Sequence, residues 1–141
     1  MNVFPLFCHH PIFHLQSRKG IIVSARKEVL LKVHRFIFQV TDMPEEDLLS
    51  HFEESNAFIA DCLAKEGAVL IHCYRGRSRS ATVVVAFLMQ KHGYSAERAL
   101  AKVRNRREII QPHDSFLAQL KLFENMDFTI DPANLQFKMF R

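Results

Sequence analysis

The sequence has no tryptophan, only four glycines, and three cysteines, Cys8, Cys62 and Cys73. An odd number of cysteines without short regular spacing excludes a disulfide framework and points to a reducing compartment, cytoplasm or nucleus. No apolar run reaches the roughly 20 residues of a membrane-spanning helix. The N-terminus lacks the uncharged apolar stretch and small-residue cleavage site of a secretory signal. Acids are missing before Glu28, while Arg18, Lys19, Arg26 and Lys27 are present. That is faintly like a mitochondrial presequence, but Pro5 and Pro11 interrupt the amphipathic helix it would need. Cys8, His9, His10 and His14 match no zinc-ligand spacing and have no second ligand pair, so no metal is expected. The plainer reading of this stretch is a loosely held terminal segment.

What is present suits one globular domain. The 141 residues are 48 % hydrophobic, with 13 phenylalanines, enough to bury a core. The formal charge of +4 favours anionic partners: phosphorylated protein, anionic lipid or RNA. A merely solvated basic surface is the blander alternative. Residues 1–32 show no clean period; Gly20–Val23 and Val29–Val33 could be short strands. Phe36–Val40, aromatic and β-branched, reads as a strand. Thr41 to Met43 then form a loop, and Pro44, Glu45, Glu46 and Asp47 suit a helix first turn. Leu48, Leu49, Phe52, Ile59, Cys62 and Leu63 form that helix's apolar stripe, with an end expected near Gly67. Cys62 in this stripe reads as a packed thiol.

Ala68–His72 is apolar almost throughout, as in a central strand covered on both faces. Arg79–Lys91 is a helix apolar nearly all round, hence buried, with Gly93 as its cap. Ser95 can cap a third helix that buries Ala99, Leu100 and Val103 and shows a basic face (Arg98, Lys102, Arg104, Arg106, Arg107). Pro112 breaks the chain before a last helix at Asp114 or Ser115, with Phe116, Leu117, Leu120 and Phe123 inward. Residues 127–141 read as a tail or a packed extension.

Between the strand ending at His72 and the helix starting at Arg79 lies a loop of Cys73, Tyr74, Arg75, Gly76, Arg77 and Ser78. Backbone N–H groups of a tight loop entering a helix bind anions. Thiols set in such a loop, near an arginine, ionise readily and become nucleophiles. Gly76 lets the backbone turn, and Arg79 offers a planar fork for two phosphate oxygens. Ser80 can donate a hydrogen bond to the Cys73 sulfur, and His72 can orient the loop through its ring. Asp42 is the candidate general acid. If the strands ending at Val40 and His72 are parallel neighbours, Asp42 and Cys73 share the ligand-binding edge of the sheet. Glu45, Glu46 and Asp47 are weaker candidates, and the plain alternative for Asp42 is a turn residue.

His72-Cys73-x-x-Gly76-x-x-Arg79-Ser80 resembles the signature of cysteine-dependent protein tyrosine phosphatases, and its Arg-Ser ending looks like the dual-specificity branch. The likeness runs over about residues 33–126. It includes Val40-Thr41-Asp42, Leu48-Leu49-Ser50-His51-Phe52, Ser95-Ala96-Glu97-Arg98-Ala99-Leu100 and Phe116-Leu117-Ala118-Gln119-Leu120. The resemblance implies an α/β fold with a central, mostly parallel twisted sheet and helices on both faces. It also implies metal- and cofactor-independent hydrolysis of phosphotyrosine and phosphoserine or phosphothreonine through a cysteinyl-phosphate. Residues 73–79, with His72 before them, would be the phosphate loop. Residues 127–141 are reminiscent of the segment that follows the catalytic domain in members with a C-terminal zinc-binding domain, which has no counterpart in these residues.

Three departures stand out. Residues 1–32 do not look like the family's N-terminal strands, so that those strands are replaced or truncated. His113 stands where the family often has an asparagine that braces the loop. Arg75 and Arg77 make the loop unusually basic, which suits a phosphoinositide or an RNA 5′ phosphate. Three readings therefore stay open: a protein phosphatase, the same chemistry on such a polyanion, and a phosphate-binding module that turns over poorly.

Overall fold

The computed structural model describes residues 21–26, 34–65 and 68–141. The Cys8–His14 cluster, the Val29–Val33 strand and the Gly67 helix end lie outside these residues. Three strands, β1 (Ile21–Arg26), β2 (His34–Phe38) and β3 (Ala68–His72), form one sheet. Five helices follow the same chain: α1 (Phe52–Ala64), α2 (Arg79–His92), α3 (Ala96–Arg106), α4 (Asp114–Asn125) and α5 (Leu135–Phe140). Among the described residues no helix is long and apolar enough to cross a membrane.

The α/β class holds, but the sheet differs from the expected parallel one. Its order is β2-β1-β3, with β1 antiparallel to both neighbours. The cause is local pairing. Consecutive strands tend to pair, so β1 and β2 form an antiparallel ladder. The crossover through α1 then returns β3 in the direction of β2, onto the other edge of β1. The strands carrying Val40 and Cys73 are therefore parallel but separated by β1, roughly 10 Å apart at the usual strand spacing. Their C-terminal ends still share an edge: Ile21 pairs with Phe38, and the next residue, Ile22, pairs with His72.

The described helices gather round α1 and α2. Those that contact the sheet, α1 and α2, pack on each other, and α3 and α4 pack on α2. In β3, Val69 and Ile71 join the core they cover, whereas Leu70, pointing the other way, is 38 % exposed. The alternation is that of a half-buried strand.

As its all-round apolarity predicts, α2 is buried along its length and ends on Gly93, whose φ is +62°. Around it lie Phe52, Phe116, Leu120 and Phe123, all fully buried, with the Phe52 and Phe123 rings edge to face at 5.2 Å. Side chains of this size each contribute about 1.5–3 kcal/mol on burial. The helix expected to start at Pro44–Asp47 starts later: a 3-10 turn covers Leu49–His51, and α1 begins at Phe52. The acids before it serve as local acceptors instead. Glu46 accepts from the Thr41 hydroxyl, and Asp47 accepts from the Ser50 N–H at 2.9 Å.

A residue that helical periodicity did not single out fixes this segment. Gln119, on α4 and 2 % exposed, accepts from the N–H groups of Leu48 and Leu49, each at 2.8 Å. Its Nε2 donates to the Glu46 carbonyl at 2.8 Å. The chain between the Asp42 loop and α1 is thereby satisfied from α4, without regular structure of its own.

Residues 127–141 pack, and do not form a free tail. At the end of α4, Phe128 N–H donates to the Phe123 carbonyl and Asp127 N–H to Glu124, both at 3.0 Å. Asp127 has φ +53°, and the Phe123 and Phe128 rings meet edge to face at 6.0 Å. This is a Schellman cap with its hydrophobic contact, with aspartate at the left-handed position. Ile130 N–H then reaches Glu53 on α1 at 2.8 Å, and Phe137 of α5 is buried.

Gln119→Leu leaves two buried N–H groups and a carbonyl unsatisfied. We expect a loss of about 2–4 kcal/mol in urea unfolding, against less than about 0.5 kcal/mol if the segment is held otherwise. A second prediction concerns Glu124, whose carboxylate accepts from Ala96 N–H at the start of α3 (3.1 Å). That bond, with Lys121, holds its pKa below the ordinary 4.5. The unfolded chain thus binds the proton more readily, so the contribution is present above pH 4.5 and is lost as pH falls through the lowered value. Glu124→Gln should flatten the fall of Tm with pH below 4.5, and an unchanged slope would show that the carboxylate is not linked to folding.

Candidate active site

The structure reproduces the strand–loop–helix expected from residues 68–91. Cys73 follows β3 directly, is 7 % exposed, and its Sγ lies 3.2 Å from the Ser80 hydroxyl on α2. Gly76 makes the turn at φ +61°, a conformation side chains with a Cβ rarely adopt. Ser78 precedes α2 with a non-helical backbone, and its carbonyl accepts from both Thr82 N–H (2.9 Å) and Thr82 Oγ1 (3.0 Å).

Two features suit this corner to an anion. The first is the start of α2. The starts of α3, α4 and α5 are capped by Ser95, the His113 ring and Asn134, whereas α2, like α1, has no side-chain cap. Its first N–H groups and the positive end of its dipole are left for a ligand. The second is Arg79, 4 % exposed. One guanidinium arm, Nη1, donates to the Val40 carbonyl at 3.0 Å. Its Nε is buried and has no partner among the described residues. An unsatisfied buried donor on a cation costs several kcal/mol and calls for an anionic acceptor. A phosphate oxygen would supply it.

The Arg79–Val40 bond also joins the two halves of the site. Val40, 2 % exposed, is the last buried residue before the loop that bears Asp42. The edge shared by β2 and β3 and this bond bring the Asp42 loop to the Cys73 loop, although the strands are not neighbours. Asp42 is exposed, and its carboxylate makes no hydrogen bond to the described residues, which leaves it available to a ligand. Glu46 and Asp47 are occupied as local acceptors.

His72 is half-buried at the end of β3, and burial lowers its pKa from 6.5, favouring the neutral imidazole. Its ring makes no hydrogen bond to the described residues; its hold on the loop is its place in β3. Tyr74 is half-buried and Arg75 exposed.

Two expectations about side chains need correction. Arg77 does not extend the phosphate pocket: its Nε donates to the Ile109 carbonyl at 3.2 Å and its Nη2 to Gln111 Oε1 at 2.6 Å. It leans toward the α3–α4 connection because two good acceptors lie there. His113 braces the loop, but with its backbone N–H, which donates to Ser78 Oγ at 3.1 Å. Its ring is turned to the start of α4, where Nδ1 accepts from Ser115 N–H at 3.2 Å. A ring that caps its own helix cannot also reach the loop.

The comparisons fit this geometry. The family described as "Dual specificity phosphatase, catalytic domain" matches residues 16–126, beginning upstream of position 33 and taking in β1. "Dual specificity protein phosphatase MPK-4" of Drosophila melanogaster is 43 % identical over 103 residues, which are 73 % of this chain and 27 % of that protein. The chain thus spans about a quarter of that relative's length. The crystal structure of human DUSP28 superimposes with a TM-score of 0.61 at 38 % identity, covering 62 % of this chain and 60 % of that one. That of PTPMT1 in complex with PI(5)P gives 0.58 at 33 %, covering 62 % and 56 %. With that family matching residues 16–126 and this likeness in sequence and fold, the chain belongs to the dual specificity phosphatase catalytic-domain family.

Proposed function

We propose that this chain removes phosphate from phosphotyrosine and from phosphoserine or phosphothreonine in proteins, through a cysteinyl-phosphate. The observation that carries this reading is the buried Arg79, whose Nε lacks a partner on the loop where Cys73 meets Ser80. Cys73 Sγ attacks phosphorus in line, forming the S–P bond as the ester P–O bond breaks. Asp42 gives its proton to the leaving oxygen. Arg79 and the first N–H groups of α2 stabilise the charge on the equatorial oxygens, as in an oxyanion hole. Water then attacks phosphorus and passes a proton to Asp42, and the S–P bond breaks. The Ser80 hydroxyl stabilises the departing thiolate by a hydrogen bond.

A second reading keeps this chemistry and changes the substrate to a phosphoinositide or another polyanion, an RNA 5′ phosphate included. Exposed Arg75 and the likeness to the PTPMT1–PI(5)P complex favour it. The engagement of Arg77 by Ile109 and Gln111 draws one of the two motivating guanidinium groups toward the α3–α4 connection. Loss of lipid hydrolysis in Arg75→Ala, with phosphopeptide hydrolysis retained, would support it.

Cys73→Ser should lower turnover of an aryl phosphate and a phosphopeptide by about 10⁴-fold or more while the peptide still binds. A wild-type chain no faster than this variant overturns the enzymatic reading and leaves a phosphate-binding module. Asp42→Asn separates the acid from the rest through the leaving group. Hydrolysis of a phosphoserine peptide, whose alkoxide leaves poorly, should fall by about 10²–10⁴-fold. That of 2,4-dinitrophenyl phosphate, which needs no proton, should hardly change. Equal losses on the two substrates would remove Asp42 as the acid.

A further inference from the structure

The loop of Gly76, Arg77 and Ser78 is held from one side by the connection between α3 and α4. Arg107 Nε donates to the Gly76 carbonyl at 3.3 Å. Gln111 N–H donates to the Arg77 carbonyl at 2.8 Å, and His113 N–H to Ser78 Oγ at 3.1 Å. Arg77 returns two bonds, to the Ile109 carbonyl at 3.2 Å and to Gln111 Oε1 at 2.6 Å. The connection is itself anchored, since Ile110 is 2 % exposed and Pro112 is buried between the packed helices.

We propose that Arg77 and Gln111 are positioning residues: together they clip the phosphate loop to the α3–α4 connection, and Arg77 holds the loop without itself touching phosphate. The Arg77 carbonyl and guanidinium both engage Gln111, so the pair grips the loop by backbone and side chain at once. Gly76, at φ +61°, is the most pliable point of the loop, and the clip closes immediately after it. On the loop's side, the Ser78 hydroxyl accepts one bond from the His113 backbone N–H, whereas the Arg77 guanidinium reaches two acceptors on this connection. Two acceptors at different places need a fork. The Lys ammonium is a single point and cannot span them in the same geometry. Because Arg77 and Gln111 are exposed, their bonds add little to global stability. Their effect falls instead on where the loop N–H groups sit, and small displacements there are costly to phosphoryl transfer.

This proposal rests on the phosphatase reading only for its kinetic readout. The test uses the full chain with Arg77→Lys, Arg77→Ala, Gln111→Leu and the Arg77→Ala/Gln111→Leu pair. We expect each single variant to lower kcat/KM for an aryl phosphate, and to weaken inhibition by orthovanadate, by about tenfold. The double variant should be no worse than the worse single one, since both break one clip. Tm should move by no more than about 4 °C. Arg77→Lys equal to wild type would show that charge, not the fork, matters and would overturn the proposal; so would single effects that multiply in the double variant. The alkylation rate of Cys73 by iodoacetamide, mapped by mass spectrometry without substrate, reads the loop even if the chain turns nothing over. A change of more than about threefold in the single variants supports the clip in an inactive protein as well. Identical rates in all four variants and the wild type overturn it whether or not the chain is a catalyst.

Discussion

A guanidinium buried without a carboxylate is the most demanding group in this molecule. Arg79 is 4 % exposed, and among the described residues it satisfies one arm on a neutral carbonyl and pairs with no acid. Removing such a charge from water is expensive unless it is paired. The surroundings meet that demand in one way: they point the start of α2, free of any side-chain cap, at the same place, and leave it to be neutralised by an anion. The apolar body of α2, packed by α1, α3, α4 and β3, keeps the guanidinium where it is. The binding site is thus a debt carried by the core.

That demand spreads outward through polar groups that act on backbone. Gln119 fastens the segment that leads from Asp42 into α1, and Gln111 the loop that follows Cys73. Both are glutamines attached to the C-terminal helical half, and each satisfies chain that has no regular structure. The packed segment after α4 supports the same half: Glu53 and Gln90 accept from or donate to Ile130 and Phe128 backbone groups, so α1, α2 and α4 are tied at their far ends.

Much of this was legible because it rests on patterns of burial. The limits of β3, α2 and α4, the caps at Gly93 and Ser95 and the packed state of the α2 helix follow from apolar periodicity and short-range chemistry. The loop was legible for a different reason, as Cys73, Gly76, Arg79 and Ser80 stand at separations that only a tight turn into a helix reconciles. Strand order was not legible, since Ile21–Arg26 pairs by geometry with segments on either side of it and not by its composition. Nor was the fate of Arg77 or His113, whose partners Ile109, Gln111 and Ser115 are chosen by the path of a connection without periodicity. Pro44–Asp47 misled because acids after a proline look the same in a helix's first turn and in an isolated turn such as the one closed by Glu46 N–H on the Met43 carbonyl.

The middle strand has a consequence for how the site can vary. β1 carries neither Asp42 nor Cys73, yet it is the common ruler against which both are measured: Ile21 sets the level of Phe38, and Ile22 that of His72. A two-residue change in one of its two registers, with the other held, would keep the alternation of the strands and still slide one loop past the other by nearly 7 Å. A strand that carries none of the candidate site residues therefore sets the offset between the Asp42 loop and the Cys73 loop, and the Arg79–Val40 bond is what checks that offset from the opposite end.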